Sequence, residues 1–161
     1  MNVQDLKGQT IAFAASGGLD SCTITHWLTS QGVKVVAMTA DLAQPDESDF
    51  SAVEKRMRAS GAVDYVAVNL HQQIAQAGID VMQAQASYEG RYWNTTGIAR
   101  HVTVSGLLPE VKKRGIKIWS HGATGRGNDQ VRFQLITNML MPEMEVYAPW
   151  RDQAFLDRFG G

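Results

Sequence analysis

Two clusters of small, polar and charged residues in this 161-residue chain have the types and spacing to do chemistry. The first is Ser16-Gly17-Gly18-Leu19-Asp20-Ser21, after the apolar run TIAFAA (10–15) and before a helical pattern. Paired glycines let the backbone turn tightly and bring its N–H groups close to a ligand. Ser16 and Ser21 add hydroxyls, and a helix opening near Ser21 adds free N–H groups and a positive dipole end. Together they make a cradle for phosphate or pyrophosphate. Asp20 is the odd member, because a carboxylate repels phosphate; it makes sense as a helix cap, as a Mg2+ contact, or as both. The string is neither a Walker A loop nor a GxGxxG fingerprint. The second cluster runs from His121 to Phe133 (HGATGRGNDQVRF). Gly122, Gly125 and Gly127 surround Thr124 in another loop suited to close approach. Asn128 and Asp129 open a helix, and Arg132 lies one turn beyond Asp129, so both can face one pocket. A guanidinium for a carboxylate and a carboxylate for an ammonium point to an amino acid.

Positioning these clusters requires a frame, and the hydrophobic pattern supplies one. Apolar, strand-like runs occur at 10–15, 33–40, 64–70, 116–120 and 145–150. Near-continuous apolar character implies burial on both faces, as in parallel sheets. Helical spacing fills the intervals: 21–30, 48–60, 71–86, 97–114, 128–141 and 151–159. Gly32 and Gly61 sit where helix C-terminal caps belong, and Pro109 should bend its helix or start a new one. The pattern predicts an α/β domain with a doubly wound, five-stranded parallel sheet, Rossmann-like in layout. Residues 85–96 (QASYEGRYWNTT) break the rhythm and read as a long, functional loop.

Composition bounds the reading. Hydrophobic residues make up 44% and charged residues 19%, within the range of a globular domain. With 15 Lys+Arg against 16 Asp+Glu, the chain lacks the basic excess that would drive nucleic-acid binding by bulk charge. The lone Cys22 permits neither an intrachain disulfide nor a cysteine zinc site. His26, His71, His101 and His121 show no metal-like spacing. No apolar run approaches a membrane span, and the N-terminus lacks a signal-peptide pattern, so the expected compartment is the cytoplasm. Lys112-Lys113-Arg114 and Glu54-Lys55-Arg56 read as solvated helix faces, and His121 as either a residue lining the site or polar loop surface.

The SGGLDS string resembles the pyrophosphate loop of the N-type ATP pyrophosphatases and is most similar to the form in the argininosuccinate synthase family. Four further stretches resemble that family: TADLAQPDE (39–47), YWNTT (92–96), HGATGRGNDQVRF (121–133) and VYAPWRD (146–152). The resemblance spans essentially the whole chain and implies a nucleotide-binding domain of the HUP type, also described as adenine nucleotide alpha hydrolase-like. It implies that Ala14, Ser16, Gly17, Gly18, Leu19, Asp20, Ser21, Ala40, Gly122 and Thr124 meet ATP. It also implies that Thr124, Asn128 and Asp129 contact aspartate, and that Tyr92, Thr96, Asn128 and Arg132 contact citrulline. Asp129 and Arg132 take the catalytic places. Mg2+ is expected to accompany the ATP, with Asp20 as its candidate contact. The reaction implied joins citrulline to aspartate through a citrullyl-adenylate, releasing pyrophosphate and AMP on the route to arginine.

Three residues depart from the family pattern. Cys22 stands where a second hydroxyl is usual, Ala15 replaces an aromatic, and Arg126 replaces a lysine. Family chains are longer, so residues 1–161 are expected to be the nucleotide-binding domain without the synthetase and oligomerisation part. The family enzyme is expected to be a homo-oligomer, a tetramer by resemblance. Two other readings stay open at this point: a nucleotide-binding module without turnover, and another N-type pyrophosphatase such as a tRNA-thiolating enzyme. The single cysteine and the neutral charge balance speak against the last.

Overall fold

The computed structural model describes residues 1–45 and 49–160. A 3-10 turn at Val3–Leu6 leads into β1 (Thr10–Ala14), α1 (Leu19–Ser30), β2 (Lys34–Asp41), α2 (Phe50–Ala59), β3 (Asp64–Asn69) and α3 (His71–Gln83). A small hairpin of β4 (Ser87–Tyr88) and β5 (Tyr92–Trp93) follows, then α4 (Thr95–Lys113), β6 (Ile118–His121), α5 (Asn128–Leu140), β7 (Glu145–Tyr147) and α6 (Gln153–Phe159). The main sheet has the order β3-β2-β1-β6-β7, and every pairing in it is parallel. The chain winds outward from β1 to β3, then returns to the other side of β1 for β6 and β7. The order therefore reverses between β1 and β6, and this is where open α/β sheets bind ligands.

Alternation along the strands sorts side chains onto two buried faces. Ile11, Phe13, Val35, Ala37 and Ile118 pack with Ile24, Leu28, Val53, Met57 and Phe155 from α1, α2 and α6. Ala12, Val36, Met38 and Trp119 pack with Val104, Leu107, Val111 and Phe133 from α4 and α5. Helices on both faces explain why residues 11–13 of β1 and 35–38 of β2 are buried and apolar without interruption.

Several expectations change in detail. Pro109 neither ends nor restarts its helix: α4 runs unbroken from Thr95 to Lys113. Proline removes one N–H and crowds one carbonyl, but Val104, Leu107, Leu108 and Val111 bury the flanking turns and outweigh that cost. Residues 85–96 are not a plain loop, because Ser87 pairs with Trp93 and Tyr88 with Tyr92 in the hairpin. The last strand stops at Tyr147, and Pro149–Arg151 forms a 3-10 turn before α6. The helix expected from 48 begins at Phe50, with Asp49 as its cap; Ser48, with Asp46 and Glu47 of the 39–47 stretch, lies outside the described residues. Arg114 is not a free surface cation, since it bonds Glu110 and Asp64.

Candidate functional site

Parallel pairing of β1 with β6 sets Ala14 beside His121 and Phe13 beside Ser120. Both glycine loops therefore leave the sheet at the same rim, on adjacent strands. Two recesses open there. A cleft of about 490 Å3 is lined by Ala14, Ala15, Ser16, Gly17 and Gly18, by Met38–Leu42 and Gln44 after β2, and by Phe50, Arg56, Arg100, Thr103, Leu107 and Phe133. A second, more open recess of about 440 Å3 is lined by Gly122, Ala123, Thr124, Gly127, Asn128 and Asp129.

The first loop is held by its own side chains. Buried Ser21 accepts the Ser16 N–H at its Oγ (3.0 Å), and the two hydroxyls lie 3.2 Å apart. Gly17 sits at φ +77°, and a Cβ there would lie 2.6 Å from Val53 Cγ1. Its carbonyl accepts from Arg56 Nε at 3.0 Å and, weakly, from Cys22 Sγ at 3.8 Å. The thiol in the hydroxyl's usual place therefore serves the loop's own backbone, and Arg56 belongs to the cleft wall rather than to a purely solvated face. Gly18 caps α1 with no side-chain hydrogen bond. Asp20 is thus not the helix cap; it lies exposed in the first turn of α1, beside exposed Leu19. The first backbone bond of α1 runs from Cys22 N–H to Gly18 C=O (3.1 Å), so the amides of Leu19, Asp20 and Ser21 precede the helical ladder. Ala40 lies near the end of β2, and the next residue, Asp41, accepts from Ala43 N–H (3.0 Å) and pairs with His71 Nε2 (2.7 Å). Burial would raise the Asp41 pKa, but the bonds from His71 and Ala43 outweigh it and hold it below the usual value.

The second loop is packed against the C-terminal segment. A Cβ on Gly125 would strike the Trp150 carbonyl, so glycine is required there by close approach. Gly127 caps α5 without a side-chain bond. Neither Asn128 nor Asp129 acts as the cap. The Asp129 carboxylate is taken up differently: Arg132 Nη1 donates to one oxygen (2.8 Å) and Arg100 Nε to the other (2.9 Å). Burial would raise the Asp129 pKa, and the two guanidiniums overcome that and lower it. His121 is not loop surface. It is fully buried, stacked on Phe133 with ring centroids 4.6 Å apart, and its Nδ1 accepts the Ala123 N–H (3.2 Å). Burial lowers its pKa to about 4, with the charge of Asp129 opposing.

Of the residues singled out in the sequence, Ala14, Ser16, Gly17, Gly18 and Ala40 line the first cleft, and Gly122, Thr124, Asn128 and Asp129 the second recess. Leu19, Asp20 and Ser21 begin the helix at the first cleft's edge, and Arg132 is tied to Asp129. Tyr92 is 55% exposed on the hairpin, stacked on Tyr88, and Thr96 is exposed in the first turn of α4; neither lines either recess. The reading missed Arg100, Thr103 and Phe133 as cleft walls. Their positions depend on how α4 and α5 pack, and no local motif reports that.

A parallel sheet with two glycine loops at its switch point, one opening α1 at a phosphate-type cradle, defines a Rossmann-like nucleotide-binding domain of the HUP class. The sequence profile of the Arginosuccinate synthase N-terminal HUP domain matches residues 10–158, and the chain belongs to that family. It is an ATP-binding domain of the argininosuccinate-synthase type, which serves an ATP-dependent ligase. Solved structures share the fold at low identity. A predicted subunit of tRNA methyltransferase from Methanocaldococcus jannaschii has 14% identity and a TM-score of 0.58, over 92% of this chain and 72% of that one. An NH3-dependent NAD synthetase from Campylobacter jejuni, in complex with the nitrate ion, has 10% identity and a TM-score of 0.55, over 86% and 68%. Among the described residues no helix is long and apolar enough to cross a membrane, and no group of three or more His, Cys, Asp and Glu could hold a metal.

Proposed function

We propose that the first cleft holds ATP and the second recess takes the amino-acid substrates of argininosuccinate formation. In this reading the Ser16–Gly18 loop and the leading amides of α1 receive the phosphates, while Ala14 and Ala40 flank the nucleoside. The ureido oxygen of citrulline attacks the α-phosphorus, the bond to the β-phosphate oxygen breaks, and pyrophosphate leaves. The aspartate amine then attacks the adenylated carbon; AMP leaves and a proton is lost to solvent, giving argininosuccinate. Thr124, Asn128 and Asp129 face aspartate, and Asn128 and Arg132 face citrulline; Tyr92 and Thr96, which line neither recess, are its further contacts by family resemblance alone. No protein nucleophile is needed: the residues orient reactants and stabilise charge. The observation that carries the reading is the β1–β6 pairing, which sets both glycine loops on one rim.

The residues present fit a magnesium ion. Asp20 offers one exposed carboxylate beside the phosphate cradle, and Mg2+ is commonly held by one or two carboxylates together with substrate phosphates. Held there, Mg2+ would neutralise charge on the departing pyrophosphate. We place the reaction in the cytoplasm, where the lone Cys22 stays reduced, and in a homo-oligomer, a tetramer by family resemblance.

Calorimetry with MgATP tests the first cleft. Gly18→Val is the matching variant, because Gly18 has φ −76° and the nearest atom to an added Cβ is Ser16 Oγ at 3.5 Å. The variant should fold, and the added side chain should enter the cleft and weaken ATP at least roughly ten-fold, about 1.4 kcal/mol. Unchanged affinity would falsify the reading. A second reading, a nucleotide-binding module without turnover, draws support from Tyr92 and Thr96 lying outside both recesses. Pyrophosphate release with citrulline and aspartate present separates the two.

A further inference from the structure

One carboxylate joins the two recesses. Asp129 lines the second recess, and Arg100, which bonds its Oδ2 at 2.9 Å, lines the first. Arg132 occupies the other oxygen at 2.8 Å. Only Nε of Arg100 is used in that contact; its two Nη groups have no hydrogen-bond partner among the described residues. The same guanidinium thus bonds Asp129 through Nε and presents further donors at the wall that also carries Ser16, Gly17 and Gly18. The contact is one-third exposed, so it can open without a large burial penalty.

We propose that Arg100 is a positioning residue that couples the two recesses: an ammonium group arriving at Asp129 turns Arg100 toward a phosphate in the nucleotide cleft. Two guanidiniums and one carboxylate leave the cluster with one excess positive charge. An ammonium at Asp129 raises that excess and competes for the oxygen that Arg100 holds. An anion in the first cleft relieves it, and Arg100 carries the donors to meet one. The linkage is reciprocal, so the nucleotide must tighten the amino acid by the same factor. This rests on the reading of the two recesses given above, and it adds an order to them: the charge that greets the phosphate is released by the amino group that will later attack.

The test is calorimetry on the full chain, titrating α,β-methylene-ATP with Mg2+ in the presence and absence of L-aspartate or succinate. Succinate has both carboxylates and no ammonium. The expected result is that aspartate tightens the analogue roughly ten-fold, within the usual range of such couplings, and succinate leaves it within two-fold, on the order of experimental scatter. Arg100→Met should bind the analogue more weakly, should bind aspartate at least as well because the competing guanidinium is gone from Asp129, and should lose the tightening. Arg100→Lys keeps one charge that can face either partner and should retain at least about a two-fold effect, a coupling of roughly 0.4 kcal/mol. Tightening that survives in Arg100→Met, or equal tightening by succinate, overturns the coupling and leaves the ligand assignment standing. Absence of any analogue or aspartate binding overturns that assignment and the coupling with it. If Arg100→Met does not fold, the aspartate–succinate comparison on the unaltered chain decides.

Discussion

The two adjacent glycines of the first loop are not equivalent, and the difference is testable. Gly17 is held at a positive φ, and a Cβ would press on Val53. Gly17→Ala should therefore cost roughly 2 kcal/mol of stability, from left-handed strain and overpacking together. Gly18 has an ordinary φ and an added Cβ would make only van der Waals contact with Ser16 Oγ, so Gly18→Val should cost no more than about 1 kcal/mol, mainly through the helix cap. Urea unfolding and nucleotide titration on both variants should give opposite rankings: Gly17→Ala worse in stability, Gly18→Val worse in binding. His121 makes a second residue-level prediction. Its folded pKa of about 4 lies below the unfolded 6.5, so the unfolded chain binds the extra proton first as pH falls. Stability from this group is complete above pH 6.5 and drains away between 6.5 and 4, by roughly 3 kcal/mol at most. Urea midpoints at pH 5 and 7.5 should differ more in the unaltered chain than in His121→Phe. Equal pH slopes would refute the assignment. Sequence alone left this histidine as either a site wall or polar surface, and neither reading buries it. Its burial depends on Phe133 crossing from α5 to stack on it, a contact between residues whose sequence spacing carries no signal.

Elements were readable where burial set the pattern. All five strands of the sheet and the order of the helices follow from apolar runs and glycine stops, because the central strands are covered on both faces and the edge strand β3 keeps an apolar stretch between polar ends. The hairpin at 87–93 escaped, since two-residue strands with exposed side chains leave no periodicity. Pro109 does not restart the helix for a physical reason: the rule concerns an isolated helix, whereas the turns around Pro109 are buried through Val104, Leu107, Leu108 and Val111. Proline still costs something there. Pro109→Ala restores an N–H that can reach the Ser105 carbonyl, and Pro109 itself is exposed. The variant should gain about 1–3 kcal/mol, read as a rise in urea midpoint with an unchanged slope. At the other end of the chain, Asp152 ties elements that are far apart in sequence. Its buried carboxylate accepts from Val3 N–H (2.7 Å), Tyr147 OH (2.7 Å) and Ala154 N–H (3.0 Å). Burial, then the bond to Asp152, raise the Tyr147 pKa far above its ordinary value, so the phenol stays a donor across the working pH range. Asp152→Ala orphans the Tyr147 and Val3 donors and should cost roughly 3 kcal/mol. Tyr147→Phe should cost only about 1.

The molecule as a whole divides its labour between the two edges of the sheet. At the carboxyl edge, arginines 56 and 100 line the first recess, Arg132 bonds Asp129 of the second, and the glycine caps of α1 and α5 leave helix amides unclaimed by side chains. The amino edge holds an ion-pair network instead. Asp64, first residue of β3, accepts from Arg114 Nη1 (2.6 Å) after α4 on one face and from Arg58 Nη2 (3.1 Å) of α2 on the other. One carboxylate thus bridges both helical layers across the edge strand, and the bond from Arg114 does most to hold its pKa below the usual carboxylate value. That depression has a definite sign. The stabilisation from Asp64 is present above the unfolded carboxylate pKa and is lost as pH falls through the lower folded one. The carboxylate is 39% exposed, so solvent and salt screen it and its worth stays at or below about 1 kcal/mol. Asp64→Asn should accordingly lower stability slightly, by an amount that shrinks in 1 M salt, and should leave MgATP affinity untouched. Gly18→Val should do the reverse. If Asp64→Asn altered nucleotide affinity as strongly as Gly18→Val does, the two edges would be coupled through the sheet, and the separation of a binding rim from a stabilising rim would fail.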